Sequence, residues 1–250
     1  MPITKVVIAA AGQGTRMLEL TKDKPKHIIE VQNKPFLFYL LDNLYLAGYR
    51  EVVLVLGFKA DLVSSILAEY CPPGKDEFEI QAVDQYEILG PKEKEYGTAC
   101  PLKCVGDLID DDFIYLNGDN LFSVEDLKLM NIDDEYNYIA GLEKENPEKY
   151  GVLIKDGGDF LEKIIEKPKE YVGNTINAGL YKFTPEIFKK VFSLQKSSRG
   201  EYEITDAISL LAKEKKVKIK NIKDYWIDFG CPSDIEKLSK FIKDEDNKVK

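Results

Sequence analysis

Apolar runs of strand length alternate with helical patterns through the first 120 residues, and this alternation is the feature that most limits the fold. The strand-like runs are 5–10, 51–58, 78–83 and 113–116. Each is too short for a buried helix and is rich in β-branched or apolar residues. Strand–helix repetition with such apolar strands predicts an α/β fold, in which helices cover both faces of a mostly parallel sheet.

Two helices are expected between these strands. The first spans 35–48, because Pro35 suits a helix start and Gly48 a helix end. The second runs over about 60–70, and its pattern predicts that Leu62, Ile66 and Leu67 point inward.

The pattern changes after about residue 135, where the strand-like segments become more alternating. Gly157-Gly158 separates two such segments and predicts a hairpin turn. Further helices are expected at 185–194, at 203–215 and after Pro232. No linker-like stretch divides the 250 residues, so we expect a single domain over 1–250.

Composition excludes several classes of protein. The formal net charge is -9, and such a surface repels nucleic acid. With four cysteines and one histidine, the chain offers poor ligands for structural zinc, and its low cysteine usage fits a cytoplasmic location. No stretch reaches the roughly 20 apolar residues that a membrane span needs, so no membrane partner is expected.

A glycine-rich turn follows the first strand, with Gly12 and Gly14 in the segment AAAGQGTR. Glycines there let the backbone bring N–H groups close to a phosphate. The spacing does not fit the P-loop, and Met17 stands where the dinucleotide fingerprint needs a third glycine. A purely structural turn is the alternative for an isolated pair of glycines.

Cations cluster after this turn, although the protein is acidic overall. Arg16 follows at once, and Lys22, Lys24 and Lys26 come within the next ten residues. A triphosphate needs cationic partners around backbone donors, whereas a solvated loop does not. The combination therefore favours a nucleoside triphosphate site over a structural turn.

Two aspartates stand where strands are expected to end, each beside a glycine. Asp119 closes FIYLNGD, and Asp228 lies in YWIDFG. Ligands of open parallel sheets bind beyond the carboxyl ends of the strands, and Mg²⁺ is commonly held there by one or two carboxylates and substrate phosphates. A lone aspartate after a strand is more often a turn former, but two of them beside a glycine loop favour a metal–phosphate site.

At this point the motifs resemble those of the sugar-1-phosphate nucleotidylyltransferases. The matching segments, in the family's order, are AAAGQGTR, KPKHIIEVQNKPFL, GTA at 97–99, LNGDN, EKYGV, IIEKP, NAGLY, GEYEITDA and WIDFGCPSD. Together they run from residue 6 to about residue 240. The resemblance implies a Rossmann-like, GT-A-like fold, with nucleotide bound by 1–134 and sugar by 135–250.

The resemblance also implies a role for each matching position. The triphosphate would be bound by Ala10, Ala11, Gly12, Gly14, Thr15 and Arg16, and Lys26 would contact phosphates at the reacting centre. Gln85, Gly97 and Thr98 would bind the base. The sugar phosphate would be bound by Gly118, Tyr150, Gly151, Glu166, Lys167, Asn177, Ala178, Gly179 and Trp226. Asp119 and Asp228 would hold Mg²⁺, and with Arg16 and Lys26 they form the expected catalytic set.

Some positions depart from the family pattern. The loop 86–96 is longer than the family's usual base-reading loop, which leaves the base open. His27, the single histidine, is expected to be packed or to face solvent rather than to catalyse. Cys231 is interpreted as a small neutral substitution. Since the chain ends at residue 250, a form without the C-terminal acetyltransferase domain is expected.

The expected reaction joins a hexose-1-phosphate to a nucleoside triphosphate and releases pyrophosphate. The motifs look most like the branches that use UTP or dTTP with glucose-1-phosphate. GTP with mannose-1-phosphate and UTP with N-acetylglucosamine-1-phosphate remain alternatives, as do a glycosyltransferase, a phosphocholine cytidylyltransferase and a catalytically silent regulatory homologue. A homo-oligomer is possible.

Overall fold

The computed structural model describes residues 2–92 and 94–248. The strands are β1 (Lys5–Ala10), β2 (Glu30–Val31), β3 (Lys34–Pro35), β4 (Glu51–Leu56), β5 (Glu79–Asp84), β6 (Phe113–Asn117), β7 (Asn120–Phe122), β8 (Asn137–Glu143), β9 (Gly151–Lys155), β10 (Leu161–Glu166), β11 (Thr175–Phe183), β12 (Val217–Asn221) and β13 (Trp226–Asp228). The α-helices are α1 (Phe36–Ala47), α2 (Ala60–Leu67), α3 (Gln85–Leu89), α4 (Cys100–Lys103), α5 (Val124–Leu129), α6 (Glu186–Ser193), α7 (Ile204–Lys213) and α8 (Ser233–Lys248). Short 3-10 helices occupy Thr15–Thr21, Lys26–Ile28 and Pro147–Lys149.

A nine-stranded mixed sheet runs through the described parts of the chain. Its main path is β10-β9-β11-β6-β1-β4-β5, and β8 joins β11 to β12. The pairs formed by the first half of the chain, β1–β4, β4–β5 and β1–β6, are parallel. β11 is antiparallel to β6, β8 and β9, so it connects the parallel part to the later strands.

Helices cover both faces of this sheet, as the sequence predicts. One core cluster places α1, α2 and α5 against one face, and the other places α4, α6 and α7 against the opposite face. No helix among the described residues is both long and apolar enough to cross a membrane.

The predicted first helix is confirmed as α1. Leu37, Leu40, Leu41 and Leu44 are buried along one stripe. Gly48 ends the helix in the left-handed region at φ 99°, and its N–H donates to the carbonyls of Leu44 and Tyr45. A glycine adopts this conformation without the steric cost that a Cβ would impose.

The inward face of α2 differs from the prediction. Leu62 is 37% exposed, whereas Val63 is buried at 1%. Ile66 and Leu67 do pack against the core, half-buried. The buried stripe starts from Ala60 and Val63, so a three- and four-residue spacing carries it to Ile66 and Leu67 and leaves Leu62 on the outer side.

The hairpin expected at Gly157-Gly158 is confirmed between β9 and β10, which pair antiparallel. Gly157 has φ 97°, and the N–H of Gly158 donates to Oδ1 of Asp156 at 3.1 Å. The predicted helices at 185–194 and 203–215 correspond to α6 and α7, although α6 begins one residue later, at Glu186.

A fully buried lysine connects β11 to two neighbouring segments. Nζ of Lys182 lies 2.7 Å from a carboxylate oxygen of Asp112, just before β6. It also donates to the carbonyls of Asp134 at 2.5 Å and Tyr136 at 2.7 Å, just before β8. These contacts satisfy a charge that would otherwise be costly to bury.

Lys182→Met should therefore destabilise the fold by about 3 kcal/mol, because it leaves Asp112 and two carbonyls without their donor. Urea denaturation measures the change. Lys163→Met, which replaces an exposed lysine on β10, is the matched control and should shift the free energy of unfolding by less than about 0.5 kcal/mol. Equal effects of the two substitutions would contradict this assignment.

Candidate active site

Two adjoining cavities open where the parallel strands end at their carboxyl termini. The first has a volume of about 390 Å³ and lies beside the loops after β1, β5 and β6. The second, of about 360 Å³, lies between the end of β6 and the later strands β9, β10, β11 and β13. Arg16, Thr98, Asn117 and Asp119 line both cavities. A molecule in one cavity would therefore meet a molecule in the other beside these residues.

The glycine turn after β1 forms one wall of the first cavity. Gly14 has φ 72°, and its carbonyl accepts from the N–H of Met17 at 2.9 Å. A Cβ at Gly14 would lie 3.0 Å from Cδ of Lys26, so a side chain there would push against the lysine stem. Glycine is required at this position both by the backbone conformation and by the approach of Lys26.

Lys26 and Asp119 form an ion pair on the wall between the cavities. Nζ of Lys26 donates to Oδ2 of Asp119. Lys26 is only 9% exposed, because it starts the short helix Lys26–Ile28 beneath the glycine turn. The sequence places these two residues 93 positions apart, and only the fold brings them together.

The second aspartate is brought to Asp119 by backbone pairing. β13 pairs antiparallel with β7, which sets Asp228 opposite Asn120. The N–H of Phe229 donates to the carbonyl of Asp119 at 2.8 Å. The ring of Phe229 also stacks on Phe36 at a centroid distance of 4.3 Å, which fixes the turn after Asp228 against α1.

The two carboxylates differ in their electrostatic surroundings. Burial alone would raise the pKa of Asp119, but the charge and hydrogen bond of Lys26, with a smaller effect of Arg16, hold it below its usual range. Burial, followed by the negative charge of Asp119, raises the pKa of Asp228. The contribution of Asp119 to the raised pKa of Asp228 shows that the two carboxylates repel each other within one cleft.

This donor set fits a magnesium ion shared with substrate. No third carboxylate, histidine or cysteine joins Asp119 and Asp228 in a metal-binding cluster among residues 2–92 and 94–248. Mg²⁺ commonly takes one or two protein carboxylates and completes its shell with phosphate oxygens and water. The raised pKa of Asp228 also indicates that its negative charge is unfavourable beside Asp119. A bound divalent cation would offset that charge.

The wall of the first cavity has an unsatisfied acceptor. Gln85 begins α3 and is 4% exposed, and its Oε1 has no hydrogen-bond partner in the described part of the chain. Nδ1 of His27, in the wall of the same cavity, is likewise unpaired among the described residues. Buried polar atoms are normally paired, so these two atoms need an explanation, and for Gln85 a donor on a ligand is one.

The segment Gly97–Thr98 lies in the wall of the same cavity. Gly97 has φ 132°, and a Cβ there would lie 2.2 Å from the carbonyl oxygen of Tyr202. The N–H of Ala99 donates to that carbonyl at 2.9 Å, and Oγ1 of Thr98 accepts from the N–H of Ile204 at 2.9 Å. The approach of two backbones therefore requires glycine at position 97.

The second cavity has an aromatic wall with polar side chains beside it. Nε1 of Trp226 donates to the carbonyl of Ala178 at 3.0 Å, and the ring of Tyr150 meets Trp226 edge-on at 5.9 Å. Nδ2 of Asn177 donates to the Tyr181 hydroxyl at 2.8 Å. An aromatic surface beside amides and hydroxyls is suited to a polyhydroxylated ligand.

The structure brings most of the predicted residues to these cavities. The first is lined by Ala11, Gly12, Gly14, Arg16, Lys26, Gln85, Gly97, Thr98 and Asp119. The second is lined by Tyr150, Gly151, Glu166, Lys167, Asn177, Ala178, Gly179, Trp226 and Asp228.

Two predicted residues line neither cavity. Ala10 is buried within β1, and Gly118 packs its backbone against the carbonyl of Ala9. Thr15 begins the helix Thr15–Thr21, and its side chain lies outside the described parts of the structure.

Sequence reasoning missed several lining residues. In the first cavity these include Tyr86, Lys92, Tyr96, Asn117 and Glu201. In the second they include Asn117, Asn120, Lys149, Arg199, Glu203 and Thr205. Nε and Nη2 of Arg199 donate to Oε1 of Glu203 at 3.0 and 2.7 Å, so a buried acid orients an exposed cation in the cavity that Lys167 also lines. The segment GEYEITDA carried the family resemblance, but no local pattern showed which of its side chains face a ligand.

His27 is packed, one of the two expected outcomes. It is 1% exposed in the wall of the first cavity. Burial, and next the positive charge of Lys26, lowers its pKa to about 3, so the ring is neutral at physiological pH.

Comparisons with known proteins identify the family. The profile described as nucleotidyl transferase matches residues 5–245. The chain belongs to this family. It is 33% identical over 240 residues to a bifunctional sugar-1-phosphate nucleotidylyltransferase/acetyltransferase of Sulfurisphaera tokodaii, covering 96% of this chain and 56% of that protein. It is 32% identical over 247 residues to a UTP–glucose-1-phosphate uridylyltransferase of Haloferax volcanii, covering 96% and 97%.

The predicted membership in the sugar-1-phosphate nucleotidylyltransferases is therefore confirmed, and with it the class of enzyme. The chain spans about half the length of its bifunctional relatives, such as the bifunctional protein GlmU of Methanocaldococcus jannaschii, at 34% identity and 55% of that protein.

Solved structures of the same fold confirm the predicted fold class. The crystal structure of a UDP-glucose pyrophosphorylase complexed with UDP-glucose has a TM-score of 0.77, with 24% identity, and the match covers 97% of this chain and 99% of that one. A glucose-1-phosphate thymidylyltransferase of Bacillus anthracis has a TM-score of 0.74 at 24% identity, covering 96% and 94%.

Asp228→Asn should raise the thermal stability of the ligand-free protein at neutral pH in the presence of EDTA. An acid whose folded pKa lies above its unfolded value binds more protons when folded, so its ionisation lowers stability as pH rises above about 4. The gain should vanish as pH falls toward that value. Scanning calorimetry at several pH values measures it.

Asp224→Asn, an exposed aspartate just before β13, is the matched control and should leave stability nearly unchanged. A less stable Asp228→Asn variant at neutral pH would show that the carboxylate is favourably placed without metal, contrary to this account.

Proposed function

We propose that the protein transfers a nucleotidyl group from UTP or dTTP to glucose-1-phosphate and releases pyrophosphate. The observation that carries the proposal is the shared wall of the two cavities. An unpaired Gln85 acceptor lies in one cavity, the cations Lys167 and Arg199 line the other, and Arg16 and Asp119 line both. Two phosphorylated reactants placed in these cavities would meet beside an ion pair and a second carboxylate.

The first cavity is proposed to hold the nucleoside triphosphate. Backbone N–H groups of the glycine turn, together with Arg16 and Lys26, would bind the phosphates. Oε1 of Gln85 would accept from a ring N–H of the base, a donor that uracil and thymine present at N3. The cavity is formed by residues up to Asp119, with Glu201 as an addition, which supports assigning nucleotide binding to 1–134.

The second cavity is proposed to hold the sugar phosphate. Lys167 and Arg199 would bind the phosphate, and Glu203 holds the Arg199 guanidinium in place. Glu166, Asn177 and Tyr150 would contact the hydroxyls and the ring face of the sugar. Much of this wall comes from residues after 149, which supports assigning sugar binding to 135–250.

The reaction is an in-line displacement at the α-phosphorus. An oxygen of the sugar phosphate forms the new P–O bond, and the bond to the β-phosphate breaks as pyrophosphate leaves. The attacking oxygen is already ionised near neutral pH, so no general base is needed. Two unit charges at 4 Å repel by about 4 kcal/mol at an effective dielectric near 20, so the main task is to bring two anions together.

The residues present are suited to that task. Arg16 and Lys26 would neutralise the triphosphate, and Lys167 and Arg199 the sugar phosphate. Asp119 and Asp228 would hold Mg²⁺, which supplies charge neutralisation on phosphate oxygens when bound. Rate enhancement then comes from positioning and electrostatics.

A pyrophosphate-release assay over all nucleoside triphosphates and a panel of sugar phosphates tests the proposal. We expect the highest kcat/KM for UTP or dTTP with glucose-1-phosphate, and no release by Asp119→Ala or Asp228→Ala. A preference for N-acetylglucosamine-1-phosphate or for GTP with mannose-1-phosphate would replace the proposed pair. No release with any pair would favour a silent regulatory homologue.

Lys26→Ala should lower kcat by roughly 10²–10³, the effect of losing one donor to transition-state charge. Steady-state kinetics separate this from weaker substrate binding. Lys24→Ala, an exposed lysine two residues away, is the matched control and should retain activity. An increase in KM alone for Lys26→Ala would make the lysine a ground-state anchor.

Lys167→Ala and Arg199→Ala should each raise KM for the sugar phosphate by about tenfold, since each removes a charge-assisted contact worth about 1.5 kcal/mol. KM for the nucleotide should change little. Lys169→Ala, exposed in the same loop as Lys167, serves as the control. Unchanged sugar-phosphate KM in both variants would exclude this cavity as the sugar site.

A further inference from the structure

Two cations and two carboxylates of the site lie close to one another. Lys26 donates to Asp119, the predicted metal ligand, in a nearly buried ion pair. The guanidinium of Arg16 lies over Gly230, where an added Cβ would be 2.8 Å from Nη2 of Arg16 and 3.2 Å from Oδ1 of Asp228. Lys26 is therefore paired directly with Asp119, whereas Arg16 lies near Asp228 across Gly230.

The proposed function requires different partners for all four groups. The carboxylates would hold the metal, and the cations would bind the triphosphate. Lys26 cannot donate fully to Asp119 and to a phosphate while a divalent cation occupies the same carboxylate, because the ammonium and the metal repel each other. The contacts of the free protein and those of the loaded protein are thus mutually exclusive.

We propose that Lys26 keeps the metal site closed in the nucleotide-free protein, and that metal and triphosphate open it together by an exchange of partners. This inference rests on the proposed function. In the exchange, Asp119 passes from Lys26 to the metal, and Lys26 passes from Asp119 to the phosphates.

The exchange has a thermodynamic consequence. Metal alone must displace Lys26 and leave its charge without a partner in a nearly buried position. Triphosphate alone must take Lys26 away from Asp119 and leave the carboxylate unpaired. Each ligand therefore removes the penalty that the other would meet, which gives positive coupling between the two.

Titration of Mn²⁺ into nucleotide-free protein, followed by the EPR signal of free Mn²⁺, tests the proposal from the cationic side. Lys26→Met should bind Mn²⁺ about tenfold more tightly than the unsubstituted protein, within the usual range of such couplings. Its turnover falls at the same time, so metal affinity and activity change in opposite directions. Lys26→Arg keeps the positive charge, so it should bind Mn²⁺ as weakly as the unsubstituted protein does.

Lys24→Met is the matched control for charge, since it removes an exposed lysine from the same loop. Its Mn²⁺ affinity should stay within about twofold of the unsubstituted protein, because exposed charges are largely screened. Equal Mn²⁺ affinity in Lys26→Met and the unsubstituted protein would overturn the proposal. So would an equal gain in the Lys24→Met control.

A second measurement tests the same ion pair by substituting Asp119, so it does not depend on whether the Lys26 variants fold. Calorimetric titration with tripolyphosphate in EDTA should show about tenfold tighter binding to Asp119→Asn than to the unsubstituted protein, because Lys26 is released. Asp23→Asn, an exposed aspartate of the same loop, is the charge control. No gain in Asp119→Asn beyond that control would overturn the proposal.

Failure of the proposed function would be visible separately. Both titrations use protein without nucleotide or sugar, so they report on the pair whichever substrates the protein accepts. A substrate panel without pyrophosphate release would reject the activity, whereas unchanged affinities in these titrations would reject the exchange.

Discussion

The ion pair between Lys26 and Asp119 is the interaction on which the arrangement of the site depends. It joins the loop after β1 to the loop after β6 across the wall shared by both cavities. Without a cation, a nearly buried carboxylate beside Asp228 would be costly. With it, negative charge can be kept at the place where two phosphorylated molecules are proposed to meet.

Backbone contacts extend this arrangement to segments that are distant in sequence. The N–H of Phe229 donates to the carbonyl of Asp119, and the N–H of Ala99 donates to the carbonyl of Tyr202. Because these two contacts use main-chain groups, they hold the loops in place independently of what the side chains bind. A third contact, from the N–H of Ile204 to Oγ1 of Thr98, uses a side-chain hydroxyl.

Local patterns predicted the elements well where one periodicity dominated. The stripe of α1 and the buried strands β1 and β4 are as expected, since each has one apolar face or an unbroken apolar run. Leu62 was wrongly predicted to point inward. Helix α2 is short, and moving its buried stripe by one residue leaves nearly the same apolar residues on the inner face. Lys182 also could not be identified as buried, since its partners Asp112 and Asp134 lie about 50 to 70 residues away in sequence.

The sequence by itself determined the glycine turn, the cations after it and the aspartates at two strand ends, because these follow from backbone conformation and local chemistry. Only the tertiary structure decided that Lys26 pairs with Asp119, that Asp228 lies beside both, and that Arg199 and Lys167 line one cavity. Such contacts join residues tens to hundreds of positions apart. They depend on strand order and on the packing of loops against one another, which no local periodicity encodes.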